Sequence, residues 1–150
     1  MIPFPLPPAL ARLHELLEAY TERHEEGFFM AEQDRNKSHQ AQPVLVFVTA
    51  SSLRQDPDSA PRRQAPDWIG EILAAGPASK RMPRYAKAGV KEYWRVDLGL
   101  SADGVAPPRI EVHWEPRGDG TYAKVKSFEA GEKVVSHLFS DLDLRPGDLV

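Results

Sequence analysis

A chain of 150 residues, 41% hydrophobic and 27% charged, has the size and balance of one soluble domain with one core, and no run approaches the ~20 apolar residues of a membrane span. A formal charge of -3 excludes a strongly basic chain, so any contact with nucleic acid has to come from a local basic patch. Zero cysteines exclude disulfides and thiolate metal ligands, and the start MIPFPLPPAL has neither a basic n-region nor a long apolar run, so a cytoplasmic protein is expected.

Pro3, Pro5, Pro7 and Pro8 predict an extended lead-in over residues 1–8, the last proline also suiting the first turn of a helix. Leu10, Leu13, Leu16, Leu17 and Tyr20 then recur at helical spacing, with Arg12, Glu15, Glu18, Glu22 and Arg23 off the stripe and Gly27 as the expected terminator. His14 and His24 do not have a metal-ligand spacing and read as surface residues. Phe28, Phe29 and Met30 begin a short strand, and the polar run over 32–42 reads as a loop or hairpin tip. The run VLVFVTA at 44–50 is continuously apolar and β-branched, which predicts a central strand covered on both faces. Residues 51–65, with Arg54, Arg62 and Arg63 among Ser, Pro, Asp and Gln, predict a long exposed loop.

The stretch PDWIGEILAAGPASKRMPRYAKAGVKEYWRVD at 66–97 predicts a strand, a connector, a helix and a second strand. Strand alternation puts Asp67, Ile69 and Glu71 on one face and Trp68, Gly70 and Ile72 on the other. An acid in such surroundings is costly to bury without a partner, so Glu71 is the first candidate for a site. Lys80 and Arg81 come just before Pro83, which suits the start of a helix ending at Gly89 with Tyr85 and Ala88 inward. These cations, with Arg84, read either as the counter-charge of Glu71 or as a solvated helix face. Asp67, after Pro66, reads as a carboxylate capping a turn, and Tyr85, Tyr93 and Trp94 read as core. Residues 99–108 form a turn-rich connector, and the runs 109–115 and 121–128 flank PRGDG as a hairpin with Ile110, Val112 and Trp114 on one face. Val134, Val135, Leu138, Phe139, Leu142 and Leu144 are too irregular for a helix and predict short edge pieces covering the core. With no internal repeat and no boundary signal, residues 1–150 are expected to form a single domain.

These motifs resemble a known family. PDWIGEIL, a basic residue after it, RYAKAGVKEYWRVD, a hairpin containing IEV and TYAKV, and finally VVSHLFSDLDL are similar to the Uma2-like family of restriction endonucleases, a branch of the PD-(D/E)xK nuclease superfamily. The resemblance covers residues 10–147 and is most specific around Tyr85, residues 88–90 and residues 92–94. It implies an α/β, restriction-endonuclease-like fold, a mixed central sheet flanked by helices, with DNA as partner, no membrane, and a homodimer left open. It also implies a divalent metal, Mg²⁺ or Mn²⁺, held by acids on two neighbouring strands with a lysine nearby. Phosphodiester hydrolysis needs such a hard cation to polarise the phosphate and to generate hydroxide.

By the resemblance, Glu71 matches the family's metal-binding glutamate, and Lys80 or Arg81 falls where its helix-borne lysine stands. Asp67 shares the face of Glu71, but four residues of strand separate the two by ~13 Å, too far to share one ion. The family's second acid comes from a Pro-Asp pair on the adjacent strand, which corresponds here to Pro43 and Val44, and valine cannot ligate a cation. Unless Glu32, Asp34, Asp56 or Asp58 substitutes, the site is one ligand short. Two functional readings follow: a Mg²⁺-dependent endonuclease acting on DNA, and a catalytically degenerate relative that keeps the fold as a binding or assembly module.

Overall fold

In the computed structural model, the described residues are 7–24, 27–32, 44–49, 66–73, 81–101 and 104–150. Most of the expected lead-in, the polar run after Glu32, the expected loop at 51–65 and Lys80 lie outside them. The leucine stripe forms helix α1, Pro8–His24, with Leu10, Leu13, Leu17 and Tyr20 buried and Leu16 half-buried against the same cluster. Gly27 does not terminate this helix. It opens strand β1, Gly27–Glu32, where it pairs with Thr49 and where an added Cβ would collide with the Val48 carbonyl oxygen.

The remaining strands are β2, Val44–Thr49; β3, Trp68–Ile72; β4, Glu92–Asp97; β5, Leu100–Ser101; β6, Gly104–Val105; β7, Arg109–Pro116; and β8, Tyr122–Phe128. Five of them join β1 in one mixed sheet in the order β1-β2-β3-β4-β7-β8, while β5 and β6 form a separate two-stranded ladder inside the expected connector. Strand β2 lies inside the sheet, as its unbroken apolar run predicts, and Val44, Leu45, Val46 and Phe47 are all buried. The parallel pair is β3 with β4, and a parallel pair needs a crossover, here helix α2, Met82–Ala88. Pro83 stands in its first turn, and Gly89 ends it in the left-handed conformation at φ 87°, its N–H donating back to the Ala86 and Tyr85 carbonyls. The inward residues of α2 are Ala86, with Met82 and Tyr85 beside it, and Ala88 is exposed. On so short a helix only the turn of Met82, Tyr85 and Ala86 faces the sheet before Gly89 turns the chain toward β4.

The two faces of the sheet carry separate apolar clusters. On one face Trp68, Trp94, Ile110 and Val112 pack under α1 and under Val134, Phe139, Leu142 and Leu144 of the C-terminal segment. That segment covers the core as expected, but it contributes no strand to the sheet. It runs irregularly to a single 3-10 turn, Pro146–Leu149, and Val135 points outward. On the opposite face a smaller cluster of Val44, Val46, Ile69, Val90 and Tyr93 packs under α2. The result is an α/β fold of the restriction-endonuclease-like kind. No helix among the described residues is long and apolar enough to cross a membrane.

Candidate active site

Alternation along β3 sends Trp68, Gly70 and Ile72 to the larger cluster and leaves Asp67, Ile69 and Glu71 on the face under α2. Glu71 is only 2% exposed, so its carboxylate depends on protein partners. The Tyr93 hydroxyl of β4 donates to Glu71 Oε1 at 2.6 Å, and the Arg81 guanidinium, just before α2, meets Glu71 Oε2 at 3.5 Å. The short bond from a neutral donor is the tighter restraint, and the longer ion pair is the looser one. The hydroxyl of Tyr85, one turn into α2, lies beside the same guanidinium. Burial, and then the negative charge of Glu71, push the Tyr85 hydroxyl up to about 12, so it stays neutral.

Strand register decides what else stands beside Glu71. In the antiparallel β2–β3 pair Leu45 opposes Gly70 and Val46 opposes Ile69, so one step further Val44 opposes Glu71. Val44 is buried among Val46, Ile69, Val90 and Tyr93. On its other side the backbone of Glu32 in β1 pairs with Val44, and the side chain of Glu32 lies outside the described residues, as do Asp34, Asp56 and Asp58. In the other direction the row runs from Glu71 to Arg95 in β4 and Glu111 in β7. Arg95 pairs with Glu111 Oε2 at 3.5 Å, and His113 bonds Glu111 Oε1 at 3.2 Å. Burial lowers the His113 pKa despite the opposing Glu111, which keeps the imidazole neutral near pH 7.

Of the candidates read from the sequence, Glu71 and Arg81 come together, and Lys80 is outside the described residues. Asp67 stands at the other end of β3, where its Oδ2 accepts from the Thr49 N–H at 2.9 Å and its Oδ1 meets Lys91 Nζ at 3.2 Å. With its own N–H donating to the Phe47 carbonyl, Asp67 ties the adjoining ends of β2, β3 and β4 together. Tyr93 is core, as the sequence suggests, and also the closest partner of the central carboxylate. Alternation through Glu92, Tyr93, Trp94 and Arg95 carries a signal for this, because Tyr93 and Arg95 must share a face. Which acid they meet depends on register, and a single strand does not encode its neighbour.

The sequence model of a family named Uma2, described as "Putative restriction endonuclease", matches residues 8–146. The chain belongs to the Uma2 family. A comparison with curated proteins finds no match. Uma2 membership points to a nuclease-like function with DNA as the class of partner, and restriction-endonuclease-like folds generally work with divalent metals. The Uma2 chain's described residues do not fit such an ion. No group of three or more His, Asp or Glu side chains comes together among them, Val44 fills the position opposite Glu71, and both Glu71 oxygens are engaged. A hard cation needs several oxygen ligands, and one shared carboxylate supplies too few.

Proposed function

We propose that this chain is a DNA-binding protein on a nuclease fold, acting as a binding or assembly module, and that it carries too few carboxylates at Glu71 for Mg²⁺-dependent hydrolysis. The observation that carries the reading is the register that sets Val44 against Glu71. Without a second carboxylate at that place, neither the activation of water nor the neutralisation of a phosphate by a metal has a built site. A surface suited to DNA remains. Arg84 and Lys87, three residues apart, are exposed on α2, and Lys91, exposed beyond Gly89, is paired with Asp67, so the local cations stand on a chain whose formal charge is -3. Phosphate contacts from such exposed cations give sequence-independent binding that weakens as salt rises.

The competing reading, a Mg²⁺-dependent endonuclease, is supported by Glu71 itself, an acid in an apolar setting beside Arg81. Plasmid incubation and gel retardation separate the two. The natural chain is expected to retain DNA at low salt, to release it as salt rises, and to leave supercoiled plasmid intact with Mg²⁺ or Mn²⁺. Nicking that disappears in Glu71→Gln would establish the endonuclease instead. Failure to retain DNA at low salt would remove DNA as the partner and leave assembly, with a homodimer read by sedimentation.

A further inference from the structure

A divalent ion beside Glu71 would supply positive charge to a carboxylate that is almost wholly out of water. The chain already supplies it. Glu71 Oε2 faces Arg81, and the Tyr85 hydroxyl lies beside the same guanidinium, so Arg81 stands between a strand acid and a helix phenol. Glu71 Oε1 is taken by Tyr93. On the β2 side, opposite Glu71 in register, Val44 offers only methyl groups. The neighbouring cation Arg95 is engaged with Glu111, and Arg84 is exposed, so neither replaces Arg81 at Oε2.

The charges also match. A guanidinium brings one positive charge, which one carboxylate balances, whereas a doubly charged ion calls for more than one anionic ligand. We infer that Arg81 stands in for the metal ion of this fold: its guanidinium balances Glu71, ties α2 to β3, and keeps divalent cations out of the natural chain. The inference uses the family reading only for where an ion would sit. DNA retention is a separate measurement, so failure of either proposal leaves the other standing.

The test is thermal melting with and without millimolar Mn²⁺ on the natural chain, on Val44→Asp/Arg81→Gln, and on the triple variant that adds Glu71→Gln. Val44→Asp supplies the second carboxylate that an ion requires, and removing the guanidinium leaves that pair uncompensated, so Mn²⁺ should raise the Tm of Val44→Asp/Arg81→Gln by about 3 °C while leaving the other two unmoved. A Val44→Asp/Arg81→Gln chain indifferent to Mn²⁺, or a natural chain that gains as much, overturns the assignment. Should Val44→Asp/Arg81→Gln fail to fold, the natural chain decides alone through the NMR signal of the Glu71 carboxyl carbon. A signal untouched by paramagnetic Mn²⁺ is the expected result, and one broadened by it places an ion beside Glu71 and overturns the inference.

Discussion

Glu71 is held by two unequal partners, and the difference sets what each substitution costs. Tyr93→Phe removes the 2.6 Å donor and leaves a buried carboxylate oxygen unsatisfied. It should lower stability by about 2 kcal/mol in urea melts. Glu71→Ala breaks both contacts and strands Arg81, whose side chain is 24% exposed and so only partly rehydrated. A loss of about 3 kcal/mol is expected. Glu71→Gln keeps an acceptor for Tyr93 and should cost less than Glu71→Ala. Equal and negligible losses for both Glu71 variants would show that the carboxylate does not sit where β3 places it. Glu71 is conspicuous in the sequence because an acid interrupts an apolar strand. Tyr93 is not, because an aromatic between Glu92 and Trp94 reads as core and nothing in the sequence says where its hydroxyl ends.

At the scale of elements, the C-terminal segment shows how irregular chain is fixed without a ladder. Glu92 opens β4 and is buried on the side of the larger cluster, where its carboxylate accepts from Trp94 Nε1 at 3.1 Å, Ser136 Oγ at 2.6 Å and the His137 N–H at 2.8 Å. Ser136 Oγ in turn accepts from the Leu138 and Phe139 N–H groups, and the Tyr20 hydroxyl of α1 donates to the Ser140 carbonyl. His137 stacks on Trp114 with ring centroids 4.4 Å apart. Glu92→Gln turns an amide N–H₂ toward one of these donors. It should cost about 2 kcal/mol and speed hydrogen exchange of the amides over 134–144 before those of β3 and β4.

Burial raises the Glu92 pKa, against the bonds from Ser136, His137 and Trp94. The folded chain therefore binds that proton more tightly than the unfolded chain. The stability linked to it is fully present below the ordinary carboxyl pKa and is lost as pH rises through the shifted one. Glu92→Gln should flatten that part of the stability profile, and an unchanged profile would show that Glu92 is not its source. The sequence motif that includes Glu92, Tyr93 and Trp94 thus serves both faces of the sheet, Tyr93 toward Glu71 and the other two toward the C-terminal segment.

For the whole molecule the decisive quantity is the order of strands, because three elements far apart in sequence meet at one row. If β2 and β3 are paired with Val44 against Glu71, Val44→Asp puts a second carboxylate beside the first. The variant should be less stable than the natural chain without metal, since it buries an acid in an apolar strand. Once Arg81→Gln has also removed the competing guanidinium, Mg²⁺ should raise the Tm of Val44→Asp by about 3 °C while leaving the natural chain unaffected. A folded Val44→Asp/Arg81→Gln chain that gains nothing from Mg²⁺ would show that the row does not converge on one ion.

The sequence alone determines the pieces. Leucine spacing defines α1, the continuous VLVFV run defines an inner strand, and alternation assigns Glu71 and Trp68 to opposite faces, because these follow from the local periods of helix and strand. Pro83 and Gly89 likewise delimit α2 through their own backbone preferences. Only the tertiary structure decides that Arg81 and Tyr93 share one carboxylate, that Asp67 belongs with Lys91 and Thr49, and that Arg95 belongs with Glu111. The physical reason is that a side chain's partner across a sheet is set by register between distant segments. Shifting a strand by one residue exchanges every face while leaving its own sequence unchanged.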